Sequence, residues 1–116
     1  MKVQIKRIYE KAANRDGHRV LVDRIWPRGV SKEEARLDDW NKDIAPSTDL
    51  RKWFDHKEER FPEFKKKYKK ELSKHTDDLK EIASIANEKQ VTLLFGAKDE
   101  KHNQALVLKE YLENNF

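Results

Sequence analysis

The chain has no cysteine, and its 116 residues include only three glycines, three prolines and one methionine. Without cysteine there is no thiolate nucleophile, no disulfide and no cysteine-ligated metal. Gly17, Gly29 and Gly96 are too few and too scattered for a glycine-rich phosphate loop or a nucleophile elbow. Nucleotide cofactors held by such loops are therefore not expected. The four histidines, His18, His56, His75 and His102, lack any metal-ligand spacing, so no metal site is expected. No apolar run is long enough to span a bilayer, and the charged start Met1-Lys2-Val3-Gln4-Ile5-Lys6-Arg7 has no signal-peptide core. A cytosolic protein without a membrane role is the plain expectation.

Charge is what the chain has in plenty. Charged residues make up 41% and apolar ones 36%, which calls for a modest core under a densely charged surface. The 26 basic and 22 acidic residues leave a net charge of +4, a mild bias toward anionic partners. The length fits a single domain over residues 1–116.

Val3 and Ile5 alternate with Gln4 and Lys6, as in a half-exposed strand. Val20-Leu21-Val22 fits a strand buried on both faces, and Pro27 and Gly29 then force the chain out of it. Ser31 to Glu34 has capping-box spacing. Residues 36–45 suit either a helical face or a short extended segment. Ser47 is the expected cap of a helix that carries Leu50, Trp53 and Phe54 inward. Phe61, Phe64, Tyr68 and Leu72 mark an amphipathic helix with a lysine-rich outer face. Thr76 is the expected cap of the next helix, with Leu79, Ile82, Ala83 and Ala86 inward. Val91 to Phe95 reads as a second buried strand, and a helix with Ala105, Leu108, Tyr111 and Leu112 on one face closes the chain. The order predicts an α/β fold: a small, mostly parallel, Rossmann-like sheet of three or four strands packed with helices.

In open α/β sheets, ligands bind beyond the carboxyl ends of the strands. Two segments fall there. One carries Asp23, Arg24, Trp26, Pro27, Arg28 and Gly29; the other carries Gly96, Ala97, Lys98 and Asp99, followed by His102 and Asn103. If the two strands are neighbours, Arg24, Arg28 and Lys98 meet in one crevice, where arginine forks suit a phosphate or carboxylate. Ser47 and the N–H groups after it would orient the anion, and Asp23 or His102 would be the proton-transfer candidate. The plainer alternatives are an ion pair of Asp23 with Arg24, a purely capping Ser47, and a His102 that merely opens a helix.

Three stretches carry a recognisable pattern: Val20-Leu-Val-Asp-Arg-Ile-Trp-Pro-Arg-Gly29, Ala45-Pro-Ser-Thr-Asp-Leu-Arg51, and Thr92-Leu-Leu-Phe-Gly-Ala-Lys98 with His102-Asn103. They resemble the YeaO-like bacterial proteins, a branch of the family called domain of unknown function 488. The resemblance runs along almost the whole chain and implies a small α/β domain with a Rossmann-like sheet and a cytosolic location. It supplies no activity and no cofactor. Its matching positions are Asp23, Arg24, Pro27, Arg28, Ser47, Arg51, Lys98 and Asn103. The wider family often has cysteine after its last strand and a Cys-His-Arg-like element opening the next helix. Gly96-Ala97-Lys98 and His102-Asn103 stand there instead, so cysteine-dependent chemistry does not carry over.

The leading expectation is a domain that binds or acts on a small anionic ligand. Its rivals are a nucleic-acid-associated protein using Lys65-Lys66-Lys67, Lys69 and Lys70, and an interaction module using Trp26, Trp40 or Trp53. Interleaved Glu58, Glu59, Glu63 and Glu71 make the lysine helix look like a solvated face. The sequence leaves the ligand, the reaction and the oligomeric state open.

Overall fold

A computed structural model describes residues 1–116. Four strands form one sheet: β1 (Val3–Arg7), β2 (His18–Leu21), β3 (Asp39–Trp40) and β4 (Val91–Phe95). Their spatial order is β1-β4-β2-β3 and every pairing is parallel. The last strand of the sequence thus fills the gap between the first two. All five of its residues are buried, as its continuous apolar run requires of a central parallel strand.

Five helices pack on the sheet: α1 (Lys32–Ala35), α2 (Thr48–Phe54), α3 (Phe61–Leu72), α4 (Thr76–Glu88) and α5 (Gln104–Asn115). Alternation along the strands divides the core between the two faces. Val91, Leu93 and Phe95 join the large core with Phe64, Tyr68 and Leu72 of α3, Leu79 and Ile82 of α4, and Leu108 and Leu112 of α5. Leu94 and Leu21 point to the other face, where Ile8, Ala35, Trp26 and Trp40 make a smaller cluster. The indole N–H groups of Trp26 and Trp40 donate to the carbonyls of Val30 and Asp23, both at 2.7 Å, and the rings meet edge to face at 5.2 Å. These two tryptophans are therefore half-buried wall members.

The caps follow the sequence closely, with one shift. Ser31 and Glu34 form the expected capping box, and the Ser47 hydroxyl accepts from the Leu50 N–H. The residue before α4 is His75, not Thr76, and it makes no side-chain cap; Thr76 already lies inside the helix. Its hydroxyl reaches back to the carbonyl of Ser73 instead. Residues 36–45 resolve as a short extended segment whose Asp39 and Trp40 pair with Val20 and Leu21. A two-residue strand has no periodicity to read, so only its pairing identifies it.

Just before β2, a buried Asp16 accepts from Arg19 and Lys6, while two Arg19 nitrogens donate to the Ala35 carbonyl at 2.7 and 3.0 Å. Every charge there has a partner, the condition under which burial is tolerated. No helix is long and apolar enough to cross a membrane.

Candidate functional site

β2 and β4 are hydrogen-bonded neighbours, so the chain leaves both at the same sheet edge. A crevice of about 230 Å³ opens there. Asp23, Arg24, Arg51, His56, His102 and Gln104 provide its polar lining. Tyr9, Ile25, Pro27, Phe54, Phe64 and Ala97 provide most of the apolar lining.

Asp23 sits at the junction. One carboxylate oxygen accepts the Gly96 N–H at 2.9 Å, and the other accepts from the side-chain amide of Gln104, the first residue of α5. The approach depends on Gly96: a Cβ there would lie 2.8 Å from the same carboxylate oxygen. Burial pushes the Asp23 carboxyl up to about 6, although Gly96, Arg51 and Gln104 all favour its ionised form. Desolvation wins because it acts on the whole charge, while the bonds satisfy only part of it. A carboxyl that changes charge near neutrality suits proton transfer or charge-sensitive binding.

Arg24 forms no ion pair with Asp23. Its Nε donates to the Pro46 carbonyl at 3.0 Å and one terminal nitrogen to that of Ala45 at 3.3 Å, which ties the end of β2 to the loop before α2. Arg51, on α2, is the cation that acts on Asp23. Its Nε is buried and has no hydrogen-bond partner. Buried donors on charged groups are rarely left unmade, so this atom stands out.

Of the remaining candidates, His102 lines the crevice, held by Asp99 at 2.9 Å from Nδ1 and set edge-on to Phe61 at 5.2 Å. Asn103 is buried but caps α5, accepting from the Leu106 N–H and donating to the Asp99 carbonyl, both at 3.0 Å. Ser47 lies in a neighbouring groove, where its hydroxyl donates to Glu71 at 2.6 Å and fastens α2 to α3. Arg28 and Lys98 are exposed and line none of this crevice. The crevice thus unites Asp23, Arg24, Arg51 and His102, and leaves Arg28, Ser47, Lys98 and Asn103 outside. It also adds Tyr9, His56 and Gln104, which sequence reasoning missed. His56 has a left-handed φ of 54°, directly after Asp55 at 48°, where side chains are uncommon. Only the position of Gln104, beside the singled-out Asn103, could have flagged it.

Glu58, Asp99 and His102 bring donor atoms within 4.8 Å of one another. Asp99, however, already accepts from two backbone N–H groups, of Lys101 and His102, and from the His102 ring. Those bonds hold its carboxyl below the usual range, led by the Lys101 N–H, and explain the cluster as loop structure. On the lysine-rich helix, Lys65 and Lys69 pair with Glu110 at 2.7 and 3.1 Å. Lys67 lies 4.2 Å from the centre of the Trp53 ring and 3.9 Å from Glu63. Three of the five lysines of that helix thus have an acidic partner within the chain, two of them sharing Glu110.

These features define a small all-parallel α/β protein with an acid-and-arginine crevice at its strand ends. The chain belongs to the family described as the inactive DUF488-N3 subclade, whose model matches residues 2–116. It is 44% identical over 114 residues to the uncharacterized protein YeaO of Escherichia coli, covering 98% of this chain and 99% of that one. It is also 40% identical over 111 residues to the uncharacterized protein Rv3073c of Mycobacterium tuberculosis, covering 96% and 93%. No solved structure matches the chain.

Proposed function

We propose that this protein binds a small anionic ligand in the crevice at the carboxyl ends of β2 and β4. The observation that carries this reading is the unpartnered, buried Nε of Arg51 beside a carboxylate that ionises near neutrality. An anion reaching the Arg51 guanidinium would satisfy that donor and be drawn by a local excess of one positive charge, two arginines against Asp23. Binding without turnover is favoured by the description of the subclade as inactive and by the lack of cysteine. Asp23 and His102 remain the groups that would move a proton if turnover occurred.

The test is chemical-shift mapping of the labelled protein with inorganic phosphate, acetate and a short DNA duplex. The reading expects shifts at residues 23–27, 51, 96–97 and 104 with an anion, and their loss in Arg51→Gln. Shifts confined to residues 63–74 with DNA would move function to the lysine helix instead. Salt dependence would then be steep. No response to any of the three at millimolar concentration would remove the reading.

A further inference from the structure

Four large apolar residues are exposed in the whole chain. Two of them, Met1 and Phe116, are its terminal residues. The other two, Tyr9 and Ile25, are 47% and 57% exposed, and both line the crevice. Scattered exposed side chains need no explanation, but a pair converging on one polar cavity does.

Two contacts place Tyr9 at the rim. Its hydroxyl donates to the Arg28 carbonyl at 2.9 Å, and the Arg7 guanidinium lies 4.9 Å from its ring centre. Arg7 is itself pinned, its Nε donating to the Ala97 carbonyl at 2.9 Å. The hydrogen bond made by the Arg28 main chain thus gives that residue a supporting part in the rim. Pro27, Ala97, Phe54 and Phe64 continue the apolar lining. Ligand sites commonly combine such a wall with a few polar groups that set orientation.

The charges narrow the class further. Above about pH 6, where Asp23 is ionised, Arg24 and Arg51 oppose one carboxylate, so the crevice can neutralise a single negative charge without a surplus on the ligand. A phosphate dianion would leave one charge unanswered in a partly desolvated site, which is costly. The volume, about 230 Å³, is below the range typical of drug-sized ligands and suits a small metabolite.

We infer that the ligand of the crevice is a small monocarboxylate with an apolar aryl or branched body, its carboxylate at Arg51 and its body between Tyr9 and Ile25. This inference rests on the anion-binding reading above and deepens it. A branched or aryl acid should bind at least about tenfold more tightly than acetate, roughly 1.4 kcal/mol. At roughly 25 cal/mol per Å², that asks for burial of about 55 Å² of apolar surface.

The experiment is titration calorimetry of the folded protein with benzoate, isovalerate, acetate and inorganic phosphate, repeated on Ile25→Ser and Arg51→Gln. Ile25 is exposed, so Ile25→Ser keeps the fold. The expected result is benzoate or isovalerate ahead of acetate, with Ile25→Ser erasing that advantage and leaving acetate affinity unchanged. Arg51→Gln should weaken every anion. Equal affinity for acetate and the apolar acids, or phosphate binding most tightly, would overturn the ligand class but leave anion binding intact. No binding by any of the four would overturn both.

Discussion

Replacing Asp23 by Asn should stabilise this protein at neutral pH, an unusual outcome for a half-buried residue with two hydrogen-bond partners. The carboxyl loses its proton near 3.8 in the unfolded chain and near 6 in the fold, because burial disfavours its charge. Between those values the folded state holds the extra proton. Stability therefore falls as pH rises through the window from about 4 to about 6, and the whole penalty is present above it. At about 1.4 kcal/mol per pH unit, the penalty is on the order of 3 kcal/mol. The attractions of Arg51, Gly96 and Gln104 are already inside that figure. Asn carries no charge, and its side-chain oxygen can still accept the Gly96 N–H. Its amide can meet Gln104 if that side chain turns its oxygen inward. Asp23→Asn should thus gain about 1–3 kcal/mol at neutral pH and nothing at about pH 4. For a chain of this length that raises the melting temperature by several degrees. Urea denaturation of both forms between about pH 4 and 8 measures it, with parent and variant curves converging at the acid end. If the variant were less stable at neutral pH, or the curves ran parallel, Asp23 would be a structural keystone. A gain would mark an acid kept at the expense of stability, as binding and catalytic groups often are.

Two further substitutions test the frame that holds the crevice. Gly17→Ala should destabilise by about 3 kcal/mol or more. The added Cβ would fall 2.2 Å from the Gln90 carbonyl oxygen at a φ of +65°, and that carbonyl is pinned by the His18 N–H; thermal denaturation would show the loss, and a change under about 1 kcal/mol would refute it. Ser47→Ala should lose about 1–2 kcal/mol, since it removes the α2 cap and one of the two bonds Glu71 accepts. It should leave anion affinity within about twofold, because Ser47 lies outside the crevice; a larger loss in calorimetry would place it in the site.

Much of the architecture was legible from local pattern. The run Val91 to Phe95 announced a fully buried strand because parallel strands covered on both faces have no polar side to show. The i, i+3, i+7, i+11 spacing of Phe61, Phe64, Tyr68 and Leu72 announced α3 for the same kind of reason. Ser31 and Ser47 were readable as caps because capping is settled within one helical turn. The shift from Thr76 to His75 shows the limit: a hydroxyl can bond backward as well as forward, and the composition of the turn does not choose.

The site divided along the same line. That Asp23 and Gly96 lie at strand ends followed from where the apolar runs stop, and their meeting needed only that β2 and β4 be neighbours. Residues past a strand end no longer obey its alternation, so nothing local said that Arg28 and Lys98 would face solvent. Arg51 arrives from α2 and Gln104 from α5, elements whose position depends on how α2 packs on α3, α3 on α5, and α5 on β1 and β4. Sequence alone settled the α/β class, the buried strands, most caps and the family, because these depend on short-range periodicity and on residue identity. Packing alone decided which charges share the crevice, which one loses water, and which apolar side chains stay exposed beside it. Desolvation is a property of the surrounding volume, and that volume is filled by residues distant along the chain.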